Sequence, residues 1–462
     1  MTWDSNVQVT VLPTAQAVDR AVFTVPLYLA GDATFPERVR TYGSAAEAAA
    51  DPLLGADGLA AVNAHFEQAL KAPTIKVGRP GDSAVAQVVT FTVAGTPLEF
   101  ETYEIVINNI VTQYVAGATP TIASVHSALQ AAVTAALTDE DITIGGTTPD
   151  ITATADVAGA MFTYSARVIP APGEDASGTL TAVLTTASAG ISSDLDAILA
   201  EDDGWYGLAT TIPPVAATNL DLMKACQAWI QANGERIYLA QSDDADVLTA
   251  AASNDLEELG KVNRNRTAYI WHHDNSEKAA VGWIAYVFGT DPDVKATNWA
   301  YRPLSGISVK DPRITTTEKG KVEGQNGNLF MRFGGVPVAS MGVNTVGGAI
   351  DVTVTSDWLT ARLGEAYRQL LITYATRGDK IPLTDKGFIT ITNTGQGVLD
   401  QAVTAGHLNP GEDGVDPPSI SVVKRADMTD ADVQARLVRV TAEGTAAGAV
   451  ERIVVTMSLY LV

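Results

Sequence analysis

The chain has 462 residues, 46 % of them apolar, and a formal net charge of −23. That length predicts two to four domains with sizeable cores, while the charge argues against nucleic-acid binding, which needs clustered Lys and Arg. No apolar run approaches the roughly 20 residues of a membrane-spanning helix, and the only cysteine, Cys226, cannot form an internal disulfide and reads as a small buried hydrophobe in a reducing compartment.

Residues 1–20 read as an N-terminal arm. Val7, Val9 and Val11 alternate with Asn6, Gln8 and Thr10, the period of two of a strand, and Pro13 opens a small-residue stretch after it. Met1-Thr2-Trp3-Asp4 lacks the basic opening of a secretory signal. Residues 21–80 form the first part of a core, with strands at 21–30 and 74–78 and helices at 44–50 and 57–70. Arg79-Pro80-Gly81-Asp82 breaks it. Residues 81–190, rich in Thr, Val and Ala and poor in basic residues, are expected to be an inserted β-rich domain. Its strands fall at 85–93 and 98–107, joined as a hairpin through Ala94-Gly95-Thr96-Pro97, and at 142–144, 151–155, 161–169 and 180–185. A helix spans 122–137.

From 191 to 345 helices (192–202, 218–232, 245–260, 276–288) alternate with strands (205–209, 236–240, 267–271), the rhythm of βαβ units and a mainly parallel sheet; a glycine-rich stretch at 318–350 follows. Residues 346–443 make a C-terminal domain. There Leu359, Leu363, Ala366, Leu370 and Tyr374 set one apolar stripe on a helix over 357–376, capped by Ser356 or Asp357 and stopped by Gly378. A strand at 387–392, a helix at 397–405, a loop at 411–418 and strands at 420–424 and 436–441 come next. Gly444 and Gly448 bracket a small-residue hinge. The last segment, 450–462, alternates again, with Ile453, Val455, Met457, Leu459 and Leu461 on one face. Such an apolar strand needs a sheet edge to join, so both arms suggest strand addition between copies. Pairing of each arm within its own subunit is the other reading.

Chemistry-bearing constellations are weak. Asp244 and Asp246, after the strand at 236–240, resemble the paired aspartates of haloacid-dehalogenase-like phosphatases, but Gln241 and Ser242 separate them from the strand, and helix capping by Ser242 or Asp243 accounts for the acids better. His272 and His273 are adjacent on an extended chain and point to opposite faces, so one ion cannot readily use both; His65, His126 and His407 show no ligand spacing. No phosphate loop, nucleophile elbow or zinc cysteine set is present. The residues therefore imply no catalytic group, metal or cofactor.

Gly348-Ala349-Ile350-Asp351, Asp357-Trp358-Leu359, Lys380-Ile381-Pro382-Leu383-Thr384-Asp385-Lys386-Gly387 and Ala447-Gly448-Ala449-Val450 resemble the contractile tail sheath proteins of tailed bacteriophages. Trp205-Tyr206-Gly207-Leu208, Arg236-Ile237-Tyr238 and Arg266-Thr267-Ala268-Tyr269-Ile270 extend the likeness upstream, to roughly 191–462. The resemblance implies an α/β sheath core with an inserted outer domain, and a homo-oligomer that stacks helically around a tail tube protein, between baseplate and tail terminator proteins. It also implies N- and C-terminal arms that complete a neighbour's sheet (Val7, Val9, Val11; Ile453, Val455, Met457, Leu459, Leu461), hinged at Pro13, Gly444 and Gly448. The C-terminal domain would face the tube, and the protein would be made in the host cytoplasm and reside in the virion tail, without nucleic acid or membrane insertion. The residues alone leave open a phosphatase-like enzyme, and a tube subunit or adhesin.

Overall fold

The computed structural model describes residues 18–449, less 81–84, 158–161, 187–189, 211–215, 311–312 and 413. Val7, Val9, Val11 and Pro13, and Ile453, Val455, Met457, Leu459 and Leu461, lie outside the described residues. The described chain falls into two units: 23–291 with 297–353, and 18–22 with 292–296 and 354–449.

The larger unit is built on an eight-stranded sheet in the order Val336–Ala339, Asn328–Phe333, Thr267–Trp271, Ile237–Ser242, Gly207–Thr210, Pro26–Leu29, Ile75–Gly78, Val39–Tyr42. The six inner strands are mutually parallel and only the two outermost are antiparallel, the mainly parallel sheet that the alternating rhythm predicts. Parallel strands covered on both faces carry continuous apolar runs. Leu27, Tyr28 and Leu29 are fully buried, and every residue of Thr267–Trp271 is buried. Trp205, Trp229, Tyr238, Tyr269 and Trp271 fill one side.

Two elements of this sheet carry no strong signal in the sequence. Val39–Tyr42 is four residues with one face exposed, too short for a period to register. The glycine-rich stretch contains the hairpin Asn328–Phe333/Val336–Ala339, turned by Gly334 and Gly335 at φ of +57° and +92°, conformations a side chain resists. The helix expected over 245–260 is two short ones, Asp246–Thr249 and Asp255–Gly260, separated where Ala250 and Ser253 take positive φ and Asn254 caps the second.

The chain between Ile75–Gly78 and Gly207–Thr210 forms two further sheets around helix Ile122–Ala136. The expected hairpin through 94–97 does not form. Val88–Gly95 pairs with Gly178–Thr186 and Asp150–Ala155, whereas Thr102–Ile107 belongs to a separate three-stranded sheet with Ile110–Val115 and Tyr164–Ile169. The physical reason is the turn chemistry. Asn108 and Asn109 both adopt positive φ, giving a two-residue turn whose twist suits a hairpin, and Pro97 with Leu98 leads the chain out of the first sheet instead. This region is clamped to the main sheet's helices. Lys224 Nζ lies 2.9 Å from Asp141 and 3.0 Å from Glu258, and Arg264 reaches Glu140 at 3.1 Å.

His65 is buried, accepting from the Tyr28 hydroxyl at 2.7 Å and placing Nε2 2.9 Å from the Ala72 carbonyl. Burial, aided by Lys71, lowers its pKa to about 4. In the unfolded chain it titrates near 6.5, so the stability it contributes is complete above that pH and is lost as pH falls toward 4. We expect urea unfolding to show about 2 kcal/mol less stability from this group at pH 5 than at pH 7, and His65→Gln to reduce the difference. An undiminished difference in that variant would assign the pH effect elsewhere.

Candidate assembly site

The smaller unit gathers three separate stretches of sequence. Its first helix, Ile350–Thr376, begins seven residues before the expected start, in the larger unit's portion of the chain, and enters this unit at residue 354. The β-branched run Val352-Thr353-Val354-Thr355 is weakly helical, but Trp358 and Thr355 are drawn into buried contacts that only a helix aligns. Gly378 ends the segment at φ +71°.

The expected strand at 387–392 is helical. Thr384 accepts from the Gly387 amide and caps one continuous helix, Asp385–Ala405. Phe388, Ile389, Thr390, Ile391 and Thr392 alternate like a strand, yet the buried positions Phe388, Gly395, Val398, Leu399, Ala402 and Ala405 follow helical spacing. Gly395 is required by packing, because a β-carbon there would fall 2.1 Å from the Tyr367 hydroxyl and 3.0 Å from Ile420. The strand expected at 436–441 is displaced. Helix Asp430–Ala435 ends at Arg436, in the left-handed region, and the strand is Val440–Glu443.

Val440–Glu443 pairs antiparallel with Ser419–Val422 in a sheet of two strands among the described residues. Ile420 is buried. Two strands alone are marginal in water. Beside them lies a groove of about 920 Å³, lined by apolar groups including Leu370, Ile381, Leu383, Phe388, Leu437 and Val440.

The roots of both terminal segments converge on one buried polar chain in this unit. The Ala21 amide donates to Glu365 Oε1 at 2.6 Å, its carbonyl accepts from Arg362 at 3.2–3.3 Å, and the Val18 amide donates to Gln369 at 3.0 Å. Residues 18–20, expected in the arm, are thus tied to helix Ile350–Thr376. Arg362 also donates to both Asp293 oxygens, at 2.8 and 3.1 Å, and to Glu365 at 2.9 Å. The Trp358 indole donates to Asp293 at 2.7 Å and stacks on His407 at 4.6 Å between centroids. Burial opposes the charge on Asp293, but Arg362, Trp358 and Arg20 outweigh it and hold its pKa below the usual carboxylate range. Burial keeps the His407 imidazole neutral by lowering its pKa, with Nε2 2.8 Å from the Pro292 carbonyl. At the other root, the Ala447 amide donates to the His407 carbonyl at 2.9 Å and the Asn409 amide to Thr445 at 2.8 Å. Gly444 packs against Leu408, and Gly448 has open space around it.

The residues weighed for chemistry have structural tasks. Asp244 accepts the Asp246 amide on one oxygen at 3.0 Å and the Asp255 amide on the other at 2.9 Å, joining the two short helices. His272 is buried with Nε2 2.8 Å from the Ser308 carbonyl, and its ring centre is 4.5 Å from that of His273. Among the described residues no three His, Cys, Asp or Glu side chains are grouped to hold a metal ion, and no helix is long and apolar enough to cross a membrane. The Arg362 node was not legible in advance, since it joins residues 20, 293, 362 and 407, which share no spacing.

A family model described as the C-terminal domain of E217 tail sheath protein gp31-like proteins matches residues 350–425. No curated protein matches the sequence. Over nearly its whole length the chain shares its fold with the helical sheath of the anti-feeding prophage in its contracted state (13 % identity, 99 % of each chain covered, TM-score 0.54). It is similar also to a chain of the contracted anti-feeding prophage baseplate (14 % identity, 99 % of each chain, TM-score 0.54). A third likeness is to the contracted PVC sheath complex of an extracellular contractile injection system (11 % identity, 99 % of this chain and 98 % of that one, TM-score 0.52).

Proposed function

We infer that this chain, a contractile tail sheath protein, is the repeating subunit of a helical cylinder around a tail tube, whose shortening drives the tube through a host envelope. The observation that carries this reading is the end-to-end fold shared with a contracted helical sheath, together with the C-terminal stretch matched by the tail sheath family model.

The finer mechanism rests on the two-stranded sheet and its groove. Residues 450–462 of one copy, and residues 1–12 of another, would add as strands to Ser419–Val422/Val440–Glu443. Ile453, Val455, Met457, Leu459 and Leu461 supply the apolar side chains that the groove accommodates. Ordering such a strand costs on the order of 1–2 kcal/mol per residue, and each large apolar side chain returns on the order of 1.5–3 kcal/mol on burial. These terms nearly balance, so ladder hydrogen bonds in a receiving sheet decide the outcome, and assembly needs a nucleus. Baseplate, tail tube and terminator are the partners that would supply nucleus, template and stop. Hinges at Pro13, Gly444 and Gly448 would let paired arms persist while bodies repack, with Gly448 the freest of them. Residues 81–190 would form the outer domain. The setting that fits is a phage-type tail, made and assembled in the host cytoplasm.

The test is negative-stain microscopy of the chain co-expressed with a tube protein and baseplate nucleus from a neighbouring gene cluster. Hollow striated cylinders are expected; discrete particles alone would refute the reading.

A further inference from the structure

The three-stranded sheet of residues 102–169 covers only one of its faces. Tyr103, Ile105 and Ile107 point inward to helix Ile122–Ala136, as do Thr112 and Ala116. The alternate residues form the other face. Val111 and Val115 on it are 58 % and 55 % exposed, and Val106 and Ile169 are partly exposed. At its end stands Phe100, 60 % exposed at φ +67°, a conformation costly for a bulky side chain. The buried Glu101 carboxylate imposes it, accepting from the amides of Leu98 at 2.9 Å, Ser177 at 2.6 Å and Gly178 at 3.0 Å, and from the Tyr103 hydroxyl at 2.9 Å. The fold thus spends strain to present an aromatic ring to solvent.

Charge identifies what meets this face. Residues 81–190 hold eleven acidic residues and one basic residue, Arg167. Arg167 lies at the centre of the uncovered face, paired with Glu104 at 2.5 Å, and its side chain remains 66 % exposed. Gln113 donates to the same carboxylate at 2.6 Å. The centre of the face is therefore neutral and largely apolar, while Glu99, Glu174 and Asp175 stand exposed at its Phe100 end. Two such regions repel one another everywhere except here, where the one guanidinium of one copy can meet the acidic rim of the next.

We propose that this face, Phe100, Val111, Val115 and Arg167, is a contact between adjacent copies of this chain in the assembled cylinder. It rests on the sheath reading and adds a link that the arms do not supply. Cys226 is fully buried, so a cysteine placed elsewhere can be labelled alone. Val111→Cys and, on the exposed side of helix Ile122–Ala136, Thr134→Cys are each labelled with maleimide-benzophenone, assembled and irradiated, and the products mapped by mass spectrometry. The expected result is cross-linked dimers from position 111, joined to residues 81–190 of a second copy, and none from 134. A label at 111 that blocks assembly while one at 134 does not is the same contact seen sterically. Cylinders that form with the label at 111 and yield no such dimer, or dimers joined only to other proteins, overturn the proposal and leave the sheath reading standing. Failure of the unmodified chain to form cylinders strikes the sheath reading itself.

Discussion

Deleting residues 450–462 is expected to abolish growth of cylinders while leaving the chain folded. The deleted segment lies beyond the last root contact, the Ala447 amide to the His407 carbonyl, so the described cores keep every side chain they bury. What is lost is the donated strand. In its absence a neighbour's Ser419–Val422/Val440–Glu443 sheet keeps an open edge and its groove of about 920 Å³ stays unfilled. Because each subunit added to a helical array makes the same few contacts, weakening one repeated link multiplies along the lattice. The measurement is sedimentation and negative-stain microscopy beside the full-length chain, with circular dichroism to establish folding. Cylinders of normal length and contractility from the truncated chain would refute strand donation.

Arg362→Met is the substitution expected to cost most within the subunit, about 3–5 kcal/mol, the usual penalty for removing one partner of a buried ionic cluster. The guanidinium serves Asp293, Glu365 and the Ala21 carbonyl at once. Its side chain is 6 % exposed and that of Glu365 9 %, so water cannot readily replace it. Methionine fills much of the space but donates nothing, and leaves two carboxylates with reduced compensation. Arg362→Lys restores charge without the planar fork and should recover only part of the loss. Hydrogen exchange gives the sharper readout. Amides at 18–22 should lose protection, and through Asp293, Trp358 and His407 so should those at 445–447. Unchanged exchange at 445–447 would show that the two roots are independent. In a cylinder pulled by both arms, this node is where the load entering at residue 21 passes to residue 447.

The parallel sheet was legible because fully buried strands and amphipathic helices alternate at lengths that admit one architecture. The short strand Val39–Tyr42 and the glycine-turned hairpin Asn328–Phe333/Val336–Ala339 were not, since neither has a period of its own. Local alternation misled twice, for opposite reasons. At 388–392 a strand-like pattern is overridden by the helical spacing of the residues that actually pack, with Gly395 allowing Tyr367 and Ile420 to approach. At 94–97 a plausible turn yields to Asn108-Asn109, whose paired positive φ values fix a different hairpin. The family likeness rested on short runs around Gly348, Trp358 and Lys380, within or beside the stretch that the tail sheath family model matches. The polar node was illegible because its members are brought together only by the tertiary fold.

The most direct test of the account is a cryo-EM reconstruction of the assembled cylinder in which residues 450–462 can be traced. The account predicts that they leave their own subunit and lie as a strand against Ser419–Val422 or Val440–Glu443 of another copy, with Leu459 and Leu461 toward the apolar groove. Density that returns them to a sheet of their own subunit, touching no second copy, would contradict it.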